Sequence, residues 1–283
     1  MEKLILGICL WVSVFGGGAA SGAILDQRVV SLSPSITELI YLLGAQDQLV
    51  ADTIYCNVPP EAGEKLRVGT MTQANVEKIV YLRPDLVIAS PLSSKKQMRI
   101  LKAQGIRVML KENPKSFEQM CRLTLDMGNI MGARDRAEAI VTRARKDVER
   151  VVAATQPLAK KQVFIQIGLK PLKTVTGDIF INEFIKLGGG INITEHESSG
   201  VYSREKVVRS DPDVILIATM GSAKKAREEE RQRWMEFSSL KAAAQNHIYV
   251  LNPDVICSPT PASFARGLSI IADLIHPEEV HEQ

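Results

Sequence analysis

The sequence predicts an α/β fold: two similar α/β lobes with mostly parallel sheets, joined by one long spanning α-helix. Three observations predict it. First, Asn75-Val-Glu-Lys-Ile-Val-Tyr-Leu-Arg-Pro-Asp-Leu-Val-Ile-Ala89 is echoed by Ser203-Arg-Glu-Lys-Val-Val-Arg-Ser-Asp-Pro-Asp-Val-Ile-Leu-Ile217, at a constant offset of 128 that aligns Glu77 with Glu205, Lys78 with Lys206, Pro84 with Pro212 and Asp85 with Asp213. A second echo, Ile36-Thr-Glu-Leu-Ile-Tyr-Leu against Ile181-Asn-Glu-Phe-Ile-Lys-Leu187, has an offset of 145. Second, strand-like and helix-like segments alternate along the chain, the pattern of a parallel sheet covered on both faces. Third, one uninterrupted amphipathic stretch, Ala133 to Thr155, lies between the two copies of the repeat.

In order, Arg28-Val-Val-Ser-Leu32 reads as a strand, and Ser35-Ile-Thr-Glu38 as a capping box opening a helix to Leu43. A strand near Leu49 to Ala51 follows, then the first repeat: a helix from Val76, a Pro-Asp turn and a strand to Ala89. Ser94 to Gln104 is a helix, Arg107 to Leu110 a strand and Ser116 to Met131 a helix, completing an N-terminal lobe over 24–132. The spanning helix, residues 133–156, carries Ala137, Ile140, Val141, Ala144, Val148, Val151 and Val152 on one stripe, with charges elsewhere. At about 1.5 Å per residue it runs about 35 Å, the height of a small domain, so a stiff connection with small opening motions is expected. The C-terminal lobe, 157–283, begins with the strand Gln162 to Gly168 and continues with a helix from Phe180 to Leu187, which Gly188-Gly-Gly190 terminates. The second repeat follows, then a charged helix, a strand at Ile248 to Leu251 and a last helix from Ala262 to Ile275. In the charged helix, Lys224/Glu228, Lys225/Glu229 and Glu229/Arg233 stand at i,i+4, the pattern of a solvated face.

Composition narrows the function. A net charge of +3 over 283 residues implies no polyanion partner, so no nucleic acid is expected; the chain is also expected to be a monomer. Lys3 precedes the apolar stretch Leu4 to Phe15, which gives way to small residues ending at Ala23. Residues 1–23 therefore read as a signal peptide cleaved near Ala23, too short to span a bilayer comfortably, and the mature chain as periplasmic. Cys9 precedes most of the apolar run, unlike the acylated cysteine of a lipoprotein signal. Cys56, Cys121 and Cys257 remain, an odd number that leaves at least one thiol unpaired. Neither they nor His196, His247, His276 and His281 have metal-ligand spacing, so no metal site and no cofactor are expected.

A cleft between two lobes is a favoured ligand site, approached by the carboxyl ends of the strands. With the segments Arg28 to Pro34, Tyr55-Cys-Asn-Val-Pro-Pro-Glu61, Asn75 to Val80, Arg83 to Ala89, Val163 to Gly168 and Tyr202 to Lys206, the chain resembles the periplasmic binding proteins of ABC importers that have a helical spine. That group serves vitamin B12, iron-siderophores and haem, and the chain is most similar to its B12-binding members. The resemblance covers nearly the whole mature chain through the order and spacing of these segments, none of which is decisive alone. It implies a non-catalytic protein that delivers a metal chelate, a corrinoid first and an iron-siderophore or haem second, to an ABC permease dimer in the inner membrane.

The resemblance also implies that one exposed glutamate per lobe docks onto arginines of the two permease subunits, at the positions of Glu77 and Glu205. From the residues alone, each follows a cap residue, Asn75 or Ser203, where a carboxylate also favours the helix dipole. The ligand-binding residues implied are Ser33, Pro34, Tyr55, Cys56, Met71, Thr72, Gln73, Lys170, Tyr202, Asp254, Val255 and Cys257. Tyr55 and Tyr202 are the stacking candidates, whereas Met71 and Val255 stand where B12-binding relatives would have tryptophans. Cys56 and Cys257 have three readings: small half-buried thiols, ligands to a metal centre in the ligand, or an interlobe disulfide.

Enzymatic readings find no support in motifs. The chain has no Gly-x-Ser-x-Gly, no His-Glu-x-x-His, no paired-carboxylate motif, no Gly-rich dinucleotide loop after a strand and no Gly-x-x-x-x-Gly-Lys-Ser/Thr. A sensor whose loaded form docks on a membrane signalling partner would use the same surfaces.

Overall fold

The computed structural model describes residues 27–219, 223–253, 256 and 260–277. The signal peptide expected over residues 1–23 lies outside them.

The first sheet holds β1 (Val29–Ser31), β2 (Leu49–Asp52), β3 (Leu66–Arg67), β4 (Leu86–Ala89) and β5 (Arg107–Leu110) in the order β3-β2-β1-β4-β5. Every pairing in it is parallel. Around it stand α1 (Pro34–Leu42), α2 (Val76–Tyr81), α3 (Lys95–Ala103) and α4 (Phe117–Ile130). The second sheet runs β10-β9-β6-β7 and contains β6 (Lys161–Gly168), β7 (Lys173–Thr174), β9 (Val214–Ile217) and β10 (Ile248–Val250), with β8 (Gly190–Asn192) also on β6. Only the β6–β7 hairpin is antiparallel. Its helices are α6 (Ile181–Leu187), α7 (Arg204–Ser210), α8 (Lys224–Met235), α9 (Lys241–Ala244) and α10 (Pro261–Ile275). Between the sheets runs α5 (Arg134–Thr155), 22 residues and about 33 Å long. It packs against α4 on one side and α10 on the other.

The repeat has a structural cause. Asp85 accepts the backbone N–H of Arg28 at 2.7 Å, and Asp213 accepts that of Gln162 at 2.7 Å. Each aspartate thus ties the start of the repeated strand, β4 or β9, to the neighbouring strand that opens its lobe. Upstream, Asn75 caps Lys78 N–H at 2.9 Å and Ser203 caps Lys206 N–H at 3.3 Å. Arg83 and Asp211 turn out of their helices at φ 48° and 44°, the left-handed region that is unfavourable for a side-chain-bearing residue. The following proline fits that turn because it cannot continue a helix.

Two expectations need correction. The opening of α1 is not a Ser35–Glu38 capping box. Pro34, whose fixed φ suits the first helical position, starts the helix behind an extended Ser33 that makes no side-chain cap. The Thr260–Ser263 pair forms the box instead, at the start of α10. In α8 the face carrying Lys224, Lys225, Glu228, Glu229 and Arg233 is exposed as expected, but its ion pairs among the described residues are Glu228–Arg231 and Glu230–Arg233 at i,i+3 instead of i,i+4, and Glu230 and Trp234 are buried on the other side.

Candidate functional site

All strands of the first sheet are parallel, so their carboxyl ends emerge along one edge, and the loops there meet loops from the corresponding edge of the second. Thr260, after β10, donates to Glu38 of α1 at 3.2 Å; the N–H of Phe117, after β5, donates to Glu183 of α6 at 2.5 Å. Between the lobes a cavity of about 420 Å³ is lined by Asn113, Pro114 and Lys115 from one side and by Ile167, Asp178, Ile179, Phe180 and Ile181 from the other. The cleft is therefore built from the carboxyl ends of both sheets, the place a ligand approaches in such folds.

On the N-terminal wall, two of the three predicted loops are tied together. Ser33 is buried, with its hydroxyl 3.1 Å from that of Ser35, and Pro34 is half-buried. Tyr55 is 58% exposed and stands beside Ile54, also exposed. The N–H of Ile54 bonds to the carbonyl of Gly69 at 3.0 Å, joining this loop to the hairpin that carries Met71, Thr72 and Gln73. That hairpin closes through Thr70 N–H to Gln73 carbonyl at 3.0 Å and needs Gly69, whose φ is +105°. A Cβ there would lie 2.4 Å from the Gln73 carbonyl oxygen.

On the opposite wall, Lys170 is exposed in the β6–β7 turn, and Tyr202 N–H bonds to the carbonyl of Leu172 at 3.1 Å. The ring of Tyr202 is already engaged. It stacks on Phe164 with centroids 6.1 Å apart, and the Lys206 ammonium lies 5.0 Å from its centroid. The expectation of a free stacking face is corrected accordingly: Tyr202 is half-buried because β6 presents Phe164 directly beneath it. Behind it, the buried Glu230 carboxylate accepts from Arg204, from Gln166 at 2.7 Å and from Arg233 at 3.1 Å. Gln166 in turn accepts from Trp234 at 2.7 Å, and Arg204 lies 4.4 Å over the Trp234 ring.

Cys56 does not face the cleft. Its buried sulfur lies 3.2 Å from the hydroxyls of both Thr37 and Thr53. Burial pushes the thiol's pKa up, against the pull of those two hydrogen bonds, so the ligating thiolate is disfavoured. Cys56 and Cys121 are free thiols, and burial lifts Cys121 to about 11. Asp254, Val255 and Cys257 lie outside the described residues. Among the described residues no His, Cys, Asp and Glu cluster could hold a metal ion.

Glu77 and Glu205 are both exposed in the first turns of α2 and α7, and neither has an ion-pair partner among the described residues. The sequence reading missed Leu92 after β4 and Leu110 at the end of β5, both exposed, and the Asn113–Lys115 turn that lines the cavity. The rule that ligands meet the carboxyl ends of strands would have found them had it been applied to β4 and β5 as well.

A family model described as periplasmic binding protein matches residues 29–255. The chain belongs to the periplasmic binding protein family. A relative, an uncharacterized ABC transporter substrate-binding lipoprotein of Bacillus subtilis (strain 168), is 30% identical over 264 residues, covering 90% of this chain and 82% of that protein. The vitamin B12-binding protein of Vibrio parahaemolyticus is 27% identical, covering 90% of this chain and 91% of its own. A periplasmic heme binding protein from Pseudomonas aeruginosa shares the fold, with a TM-score of 0.79 at 23% identity, covering 89% of this chain and 94% of that one. As a periplasmic binding protein, the chain belongs to a family of substrate-binding transport proteins, not of enzymes.

Proposed function

We propose that this periplasmic binding protein captures a metal chelate in the interlobe cleft and delivers it to an ABC importer, with cobalamin or another corrinoid as the first candidate. The observation that carries this reading is that exposed apolar side chains stand at the carboxyl ends of strands, where ligands approach such folds: Ile54 and Tyr55 after β2, Leu92 after β4 and Leu110 at the end of β5, with Val201 bridged to Lys173 of β7 in the second sheet. A large flat ligand with an apolar face covers them. The family supports export to the periplasm and a permease partner, and Glu77 and Glu205 are the docking residues of this reading, supported by their exposure and equivalent places on the two lobes. Of the two tyrosines, Tyr55 supplies the ring face, while Tyr202 supplies its edge and hydroxyl.

A second reading, haem, is favoured by the likeness to the Pseudomonas aeruginosa protein. Calorimetry of the mature protein with cyanocobalamin, haemin and a panel of ferric siderophores separates them. One-to-one binding of cyanocobalamin supports the first reading. Binding of haemin or a siderophore alone moves the assignment to that chelate, and binding of none refutes the chelate reading.

A further inference from the structure

We propose that Arg67 is the positioning residue of the N-terminal cleft wall, holding the Ile54–Tyr55 loop in the conformation that meets the ligand. The proposal rests on the reading of the cleft as the ligand site. Arg67 sits in the short strand β3, in register with Asp52 at the end of β2. From there its guanidinium reaches over the carboxyl end of β2. One terminal nitrogen donates to Asp52 Oδ1 at 2.6 Å, to the Thr53 carbonyl at 2.5 Å and to the Cys56 carbonyl at 3.1 Å. The other donates to the Cys56 carbonyl at 3.0 Å and to Asn57 Oδ1 at 3.4 Å. A single planar cation thus collects acceptors on both sides of Ile54 and Tyr55.

The apolar pair has no such support of its own. Ile54 is 47% exposed and Tyr55 58%, so little side-chain packing fixes them and their placement is inherited from the backbone. The loop's own hydrogen bonds run between near neighbours, Cys56 N–H to Thr53 carbonyl at 3.0 Å and Asn57 N–H to Tyr55 carbonyl at 3.1 Å, and link outward through Ile54 to Gly69. Arg67 shares the Thr53 carbonyl with Cys56 N–H and adds the Cys56 carbonyl, which those bonds leave. Holding an apolar loop ready before the ligand arrives lowers the ordering cost of binding. A lysine ammonium, a compact point charge with three donors, cannot reproduce the fork.

The test is a cycle. Arg67→Lys and Arg67→Gln are each made in the native chain and in an Ile54→Ala/Tyr55→Ala background, and binding of cyanocobalamin and haemin is measured beside the thermal midpoint. The expected result is a loss of about tenfold in affinity, equivalent to about 1.4 kcal/mol, that shrinks below about twofold when Ile54 and Tyr55 are already truncated. Equal losses in both backgrounds would show that Arg67 supports the lobe at large and would overturn the proposal, as would failure of both variants to fold. If the native protein binds neither probe, the ligand reading fails, and hydrogen exchange of the unliganded protein decides Arg67 by itself. Faster exchange at Ile54, Cys56 and Asn57 with unchanged exchange in β4 supports its role, and unchanged loop exchange refutes it.

Discussion

Replacing Glu230 by alanine should destabilise the protein far more than its place in a charged helix suggests. The side chain is 1% exposed and accepts from Arg204, Gln166 and Arg233. Removing it strips two cations of their partner and frees one amide donor. Truncating one member of a buried ion pair costs about 3–5 kcal/mol, because the remaining charge stays desolvated. Here the lower end applies, since Arg204 and Arg233 are 30% and 49% exposed and water can reach both. A loss of about 3 kcal/mol corresponds to a fall of about 6–12 °C in the melting midpoint of a chain this size. Arg204 is held less comfortably than Arg233: one of its terminal nitrogens is buried with no hydrogen-bond partner among the described residues.

Urea denaturation of three proteins would measure this. Glu230→Ala should lose about 3 kcal/mol, and Glu230→Gln, which keeps the shape and one acceptor, roughly half of that. Glu138→Ala, which removes only the exposed i,i+4 pair with Arg134 at 2.9 Å, should leave the midpoint almost unchanged, because solvent screens that pair. If Glu230→Ala and Glu138→Ala were indistinguishable, the claim that Glu230 anchors the C-terminal lobe would be wrong.

Glu77→Ala combined with Glu205→Ala should leave chelate affinity nearly unchanged and abolish permease binding, measured by co-purification and uptake; normal uptake would remove both residues from docking. Gly69→Ala should cost about 1–3 kcal/mol, read by urea denaturation, because the new Cβ meets the Gln73 carbonyl at a φ of +105°; a neutral effect would mean that the hairpin shifts freely. Burial holds the Asp52 carboxyl up at about 6, with Arg67 pulling the other way. Folded Asp52 then binds a proton more tightly than the unfolded chain, so its contribution is complete below about pH 4 and is lost as pH rises through about 6. Asp52→Asn should remove that part of the stability–pH curve, and an unchanged curve would rule Asp52 out as its source.

Much of the fold was legible because the repeat encodes tertiary contacts as well as local propensity. Asp85 and Asp213 each tie two strands together, which is why an aspartate recurs at the same offset as the capping residues. The spine was legible because one apolar stripe runs its whole length. Strands β3, β7 and β8 were not, since two or three residues carry no readable period. Helical spacing misread α8, because it sees partners on the same helix and cannot see Arg204 or Gln166 arriving from α7 and β6. For the same reason Glu38 read as a cap when it joins Thr260 across the lobes. At the site, sequence placed the loops but not the side chains: Tyr55 points outward, whereas Cys56, the next residue, turns into the lobe.

The way the lobes share a core bears on how the cleft can open. By chain order α4 belongs to the N-terminal lobe, yet Met120 and Phe117 pack into the core of the C-terminal one. Phe117 stacks on Phe264 at 5.0 Å between centroids, and Phe264 stacks on Phe184 at 4.3 Å. On its other side α4 packs closely on the spine, where a Cβ at Gly128 would lie 2.4 Å from that of Ala137. Wide separation of the lobes would pull Phe117 and Met120 from this cluster and break the Phe117–Glu183 and Thr260–Glu38 hydrogen bonds together. Exposing a buried Phe or Met side chain costs about 1.5–3 kcal/mol each, more than a single hydrogen bond returns. Ligand entry therefore favours small movements of the loops at the cleft mouth, with α4, α5 and α10 remaining packed.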